Sequence, residues 1–180
     1  VQRVMEGTEL VWSGPEGAQS ASRDTGVVVR ELFRQARRSV LLANYAFDRG
    51  SRFGSAVVDR GSRGAEAGRA RTLLEPLASN LDANPGLQVR FFVNVARPGW
   101  WQQGEDAAAD VLLRAFAARF WGEVWPGARR PEVFYDPRAL QPWVQGQARA
   151  SLHAKCLVVD EQQVLLTSAN FTEAAQVRNI

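Results

Sequence analysis

The stretch SLHAKCLVVDEQQVLLTSANFT contains His153 and Lys155, the one histidine and the one lysine of a 180-residue chain that has 22 lysines and arginines in all. Every other basic position is arginine. An imidazole can act as nucleophile, acid or base near neutral pH. An ammonium is a compact charge on a thin stem, able to reach a crowded oxyanion where a planar guanidinium is too wide. Taken alone, a His-x-Lys pair is an ordinary surface or core feature. Its company raises it: Asp160, Ser168 and Asn170 follow at short intervals.

If residues 150–160 form a strand, side chains alternate faces. His153 and Lys155 then project to one side, about 7 Å apart at about 3.3 Å per residue, and Ala154 and Cys156 to the other. With DEQQ, residues 160–163, as the turn of an antiparallel hairpin, Val159 pairs with Val164. Lys155 then opposes Ser168, and His153 opposes Asn170. Directly opposed residues share a face, so an imidazole, an ammonium, a hydroxyl and a carboxamide are expected to converge on one patch. A one-residue slip would scatter them, and the turn has no Gly or Asn-Gly to fix its register.

The elements around this hairpin alternate in type. DTGVVVRELFRQARRS predicts a helix capped by Asp24 or Thr25, with Val28, Leu32, Phe33 and Ala36 along one side. VLLANYAF, residues 40–47, reads as a buried strand. Residues 48–70, rich in Gly, Ser and Arg, read as a mobile loop or active-site rim. ARTLLEPLASNLDANPG suggests a second helix, disturbed at Pro76 and stopped before Pro85, and LQVRFFVNVA a second strand. Residues 106–125 carry the best helical spacing, with Val111, Leu112, Ala115, Phe116 and Phe120. PEVFYD is a short strand, and residues 150–160 and 164–171 supply two more. The expected architecture is α/β: one mixed sheet flanked by helices on both faces. Residues 1–25 form a polar N-terminal segment, and residues 26–180 a single domain.

Composition narrows the class. At 46% hydrophobic residues the chain can bury one good core and is not a disordered tail. Net charge is +3 and the isoelectric point about 9.7, which with the arginine content suits an anionic polymer. A single cysteine, Cys156, rules out an internal disulfide, and no Cys/His cluster is present to hold zinc. A reducing compartment, the cytoplasm, is expected. No apolar run approaches the roughly 20 residues that span a bilayer. The start at Val1 and the end at Ile180 read as a piece of a longer protein.

Further residues have two readings each. Trp121 and Trp125, at helical spacing, are expected in the core, whereas Trp100 and Trp101 in PGWWQQG suit contact with a partner. Arg129, Arg130 and the arginines of residues 49–71 could line a phosphate track or simply decorate solvated loops. Cys156 is expected to face away from the site as a packed core thiol.

HAKCLVVD followed by TSAN resembles the HxKxxxxD signature, with its trailing Gly/Thr-Ser-x-Asn, of the phospholipase D superfamily. Through SVLLANYAF, PGLQVRFFVNVARP and SLHAKCLVVDEQQVLLTSANFTEAAQVRNI, the wider chain resembles the phospholipase D-like proteins of the DISARM antiphage system. The resemblance implies an α/β/α sandwich and a phosphodiesterase that needs neither metal nor cofactor. In that family a histidine attacks phosphorus to form a phosphohistidine, a second histidine protonates the leaving oxygen, and water resolves the intermediate. Carried over, His153 is nucleophile or acid, Lys155 and Asn170 hold phosphate oxygens, and Ser168 supports them. Asp160 is a structural and electrostatic support near the turn. Charge that spreads over the non-bridging oxygens in the transition state is what an ammonium and amide donors stabilise.

Because the chain has one histidine, the resemblance implies a homodimer whose two motifs share one site. VRNI at the end resembles the start of a downstream Asn-x-Glu element whose glutamate would lie past Ile180. Nucleic acid, DNA above RNA, is the expected substrate, with other defence proteins as further partners. The alternatives are a non-catalytic nucleic-acid-binding scaffold and a phospholipase or phosphatidyl transferase.

Overall fold

A computed structural model of the chain describes residues 7–9, 11–12, 23–45, 47, 60–97, 106–142, 144, 146, 150–168 and 170–171, with the side chains of 12, 23 and 60–70 outside that description. Two short strands, β1 (Val11–Trp12) and β2 (Arg23–Asp24), pair in parallel ahead of helix α1 (Thr25–Gln35). Asp24 is the N-cap, its carboxylate accepting from the Val27 amide at 2.9 Å. Val28, Val29 and Phe33 turn inward from α1. Strand β3 (Ser39–Asn44) follows, then helix α2 (Arg60–Ala83), β4 (Gln88–Val93), helix α3 (Ala109–Arg119), β5 (Glu132–Tyr135), β6 (Cys156–Val159) and β7 (Gln163–Leu166).

The five later strands form one mixed sheet in the order β5-β4-β3-β6-β7. β3, β4 and β5 are parallel, with β6 and β7 antiparallel to their neighbours. The fold is therefore α/β. Both crossovers, β3-α2-β4 and β4-α3-β5, step in one direction across the sheet, and connections of one hand that do so leave their helices on one side. Accordingly α1 packs on α2 and α2 on the turn that follows α3. The described helices gather in this one core, and strand side chains line the opposite face. That face presents Phe92 stacked on its partner Phe134 at 5.2 Å, with Val164 and Leu166 exposed at its edge.

The covered face holds the core. Val40 and Leu42 of β3, Val89, Phe91 and Val93 of β4, and Leu157 and Val159 of β6 meet Leu73, Leu74, Leu77 and Leu81 of α2. Phe91 lies edge-on to Phe47, Phe120 and Trp125 at 5.7 Å from each. Trp125 is buried and Trp121 packs on the same cluster, as their spacing leads one to expect.

Two local expectations change. Helix α2 starts at Arg60, inside the stretch read as a loop, and it runs through Pro76 to Ala83. Pro76 cannot donate to the carbonyl four residues back, but the leucines on either side of it bury a continuous stripe that holds the helix together. α2 also caps α1: Asn80 Nδ2 donates to the carbonyls of Phe33 at 2.9 Å and Ala36 at 2.8 Å. The long helix expected over 106–125 starts at Ala109 and closes in a π-helical turn, Phe120–Val124, where the Trp125 amide donates to the Phe120 carbonyl at 2.8 Å.

Asp160 joins the hairpin to the start of β3. Its carboxylate accepts from three consecutive amides, those of Arg37 at 2.9 Å, Arg38 at 2.7 Å and Ser39 at 2.8 Å. Its own amide donates to the Ser39 carbonyl, and the Arg38 guanidinium donates to its carbonyl. Burial pushes the Asp160 pKa up, but these amides and the Arg38 charge outweigh it and leave the carboxyl below its ordinary range.

An acid whose pKa is lowered by folding stabilises the fold fully above its unfolded pKa of about 3.9, and that stabilisation fades as pH falls through the lower folded value. Asp160→Ala is therefore expected to lose about 3 kcal/mol at pH 7, measured by urea denaturation. The gap from wild type should close as pH drops from 5 to 2; a constant gap would contradict this role.

Candidate active site

The hairpin forms, but its register is one residue away from the expected one. Val159 pairs with Gln163, Val158 with Val164 and Cys156 with Leu166. The cause is the turn. It holds three residues, 160–162, instead of four, and Asp160 and Glu161 take positive φ values of 55° and 60° while the Gln162 amide donates to the Val159 carbonyl. Aspartate tolerates this conformation with its carboxylate bonded; Glu161 adopts it at a cost of about 1 kcal/mol. Thr167, not Ser168, therefore lies beside Lys155, its amide donating to the Lys155 carbonyl at 3.2 Å.

Strand alternation does not govern the site, because β6 begins only at Cys156 and β7 ends at Leu166. His153, Lys155, Ser168 and Asn170 all lie in segments that leave the ladder. Cys156 is still anchored beside Ala43 of β3, whereas the Leu152 amide donates to Asn94 Oδ1, just past β4 on the other side of β3. Residues 153–155 therefore cross the C-terminal end of β3. The returning segment crosses back, and the Phe171 amide donates to Asn44 Oδ1 at 3.3 Å. Two crossing segments thus meet over the end of one central strand, at the carboxyl end of the parallel strands, where open α/β sheets commonly place ligands.

There Lys155 lies much nearer the imidazole than the 7 Å expected. Its ammonium is 3.3 Å from His153 Nδ1 and 3.4 Å from Nε2. Near-equal reach to two nitrogens separated by one carbon puts Nζ over the face of the ring, off the in-plane lone pair of either. Nζ also donates to the His153 carbonyl at 2.8 Å and sits 5.3 Å from the centroid of the Tyr45 ring. Tyr45 in turn lies 4.9 Å from the imidazole. Lys155 is 9% exposed, and this burial lowers its pKa. His153 is exposed. The result is an accessible imidazole whose in-plane nitrogens are not taken by the ammonium stacked above it.

The other site residues divide. Thr167 and Phe171 tie Ser168 and Asn170 to the same strand end; Ser168 is exposed and Asn170 half-buried. Asp160 lies at the far end of β6, about 16 Å from Lys155 at strand rise. With its oxygens committed to three amides, it acts on register, not electrostatically at the site. Cys156 is half-buried on the outer sheet face, and its burial pushes the thiol pKa up. Arg129 is no phosphate ligand, since it donates to the carbonyls of Leu81 and Asn84 and lies at the opposite end of the sheet. Arg130 rests over the Trp121 ring at 4.9 Å. Trp100, Trp101, the arginines at 49 and 52, the side chains of Arg60, Arg63 and Arg69, and VRNI lie outside the described residues. Arg71 donates to the Trp125 carbonyl at 3.4 Å. Among the described residues no three His, Cys, Asp or Glu side chains gather as metal ligands, and no helix is long and apolar enough to cross a membrane.

Tyr45, Asn44 and Asn94 were not singled out in the sequence. One signal was there: the apolar runs VLLAN and FFVN each end on asparagine, at the strand ends that bear the site.

No family model and no curated protein matches the chain. Among solved structures, NucT from Helicobacter pylori superposes with a TM-score of 0.48 at 16% identity, covering 85% of this chain and 70% of that one. A phosphatidylserine synthase from Haemophilus influenzae gives 0.37 at 14%, covering 75% of this chain and 24% of the synthase. At such scores the chemistry has to be read from the side chains.

An ammonium with a donor to spare beside an open imidazole has the chemistry to take an anion as a further partner. With one histidine in the chain, inorganic phosphate should move a single imidazole signal in the NMR spectrum of 15N-histidine-labelled protein. Lys155→Met is expected to weaken that response at least tenfold. Lys155→Arg should not restore it, because a broad planar guanidinium cannot replace a slender ammonium that donates to the His153 carbonyl and lies against the imidazole at once. Equal responses in all three proteins would remove Lys155 from the site.

Proposed function

We propose that the chain is a phosphodiesterase that uses His153 as its nucleophile, needs no metal ion and acts on nucleic acid. The observation that carries this reading is the Lys155 ammonium held over the face of an exposed imidazole. A ring nitrogen of His153 attacks phosphorus; the P–N bond forms as the P–O bond to the leaving oxygen breaks, and an acid protonates that oxygen. Water then adds to phosphorus, giving up a proton to the same group, and the P–N bond breaks to free the monoester. Lys155, with Ser168 and Asn170, stabilises charge on the non-bridging oxygens.

The acid is missing from a chain with one histidine, so we assign it to His153 of a second copy in a homodimer with one shared site. DNA as substrate is supported by the arginine-rich composition and the isoelectric point of about 9.7. A role in bacterial antiphage defence is supported by the resemblance of the HxKxxxxD stretch and its flanking strands to DISARM proteins.

Two substrates separate the steps. Bis(p-nitrophenyl) phosphate releases p-nitrophenolate without a proton and so reads the nucleophile alone, whereas single- and double-stranded DNA need the acid as well. In EDTA, both are expected to be cleaved, with His153→Ala losing on the order of 10³-fold. Specific activity on DNA should fall on dilution below the dimer dissociation constant. Cleavage that EDTA abolishes, or that survives His153→Ala, would sink the proposal. DNA binding without turnover in both proteins would favour a scaffold.

A further inference from the structure

We infer that Asn44 and Asn94 are a matched pair of positioning residues that set the spacing and heading of the two segments bearing His153 and Asn170. The inference rests on the reading of that strand end as the catalytic site. Each asparagine closes an apolar run at the carboxyl end of a parallel strand, and each accepts one backbone amide from a crossing segment. Both amides are next to a site residue: Leu152 precedes His153, and Phe171 follows Asn170.

The anchors themselves do not drift. β3 and β4 are joined over six residue pairs, with Asn44 in register with Val93, the residue before Asn94. The ladder therefore fixes the two backbone anchors relative to each other, on strands about 4.8 Å apart and offset by one residue. A hydrogen bond to a backbone amide also fixes direction, because the N–H must point at the oxygen. At 3.2 and 3.3 Å the two bonds lie at and just past the long end of the usual range, so they orient the segments more than they stabilise the fold. A carboxamide supplies the acceptor without charge. A carboxylate in its place would hold the amide equally well and repel a phosphate.

This predicts a split that a merely structural residue would not give. With bis(p-nitrophenyl) phosphate and the full chain, Asn94→Ala is expected to lower kcat about tenfold or more while KM changes less than twofold. Asn94→Asp keeps the acceptor and should retain kcat within about threefold while raising KM. Asn44 is fully buried, so Asn94, half-buried, is the primary site and Asn44→Ala the second. Hydrogen exchange read by NMR gives a measure that needs no activity. Asn94→Ala should speed exchange of the Leu152 amide and shift the lone imidazole signal, leaving the Phe171 amide unchanged. Unchanged kcat, exchange and imidazole signal in Asn94→Ala would overturn the inference. Absence of turnover in wild type, with the exchange and imidazole changes present, would overturn the proposed reaction and leave the positioning intact.

Discussion

The carboxylate of Asp160 binds three consecutive amides at the start of β3, and through them the hairpin is locked to the central strand in one register. β6 then runs up beside β3 for four residues and stops at Cys156. Everything at the other end follows from where that count ends. The chain leaves the ladder with Lys155 on the covered side of the sheet, in line with Leu157 and Val159, and crosses β3 to reach Asn94. A different register would still make a hairpin with an apolar face, but it would move the point at which the chain leaves the ladder and so displace Lys155 from the end of β3.

The crossing explains why an ammonium and an imidazole two residues apart can touch. In a strand their side chains would stand side by side. In a segment stretched over a strand end, the lysine stem bends back, caps the His153 carbonyl and brings Nζ over the ring. Tyr45 packs beside both groups, its ring centroid 4.9 Å from the imidazole and 5.3 Å from Nζ. The arrangement keeps a buried positive charge beside a solvent-facing imidazole without using its lone pairs, which suits the proposed attack on an anionic phosphorus centre. It also accounts for lysine at this one position in an arginine-rich chain. The described arginines that are bonded elsewhere serve as braces: Arg97 on the carbonyls of Leu140 and Ala107, Arg129 on those of Leu81 and Asn84, Arg90 on Glu132.

Much of the fold was legible. The capped helix at Asp24 and the apolar runs of β3 and β4 follow from local rules that the tertiary structure leaves alone. The helix from Arg60 was hidden because Gly61, Gly64 and Gly68 each disfavour a helix by about 1 kcal/mol relative to alanine. The residue types of the site were legible in the spacing of His153, Lys155, Ser168 and Asn170, but their assembly was not. Alternation along a strand predicts a shared face only while the strand lasts, and the segment beyond β6 is drawn across β3 by the bond from Leu152 to Asn94, 58 residues apart in sequence. The turn register depended likewise on Asp160 reaching amides more than 120 residues distant.

The most direct test of the account is the covalent state of His153 during turnover. Protein mixed with excess bis(p-nitrophenyl) phosphate, quenched in alkali and analysed by peptide mass spectrometry should carry an aryl phosphoryl group on His153. That adduct should be stable in base and lost in acid, as a P–N bond is, and absent from His153→Asn. Sustained turnover with no adduct on His153, or with the adduct on Ser168, would contradict the account.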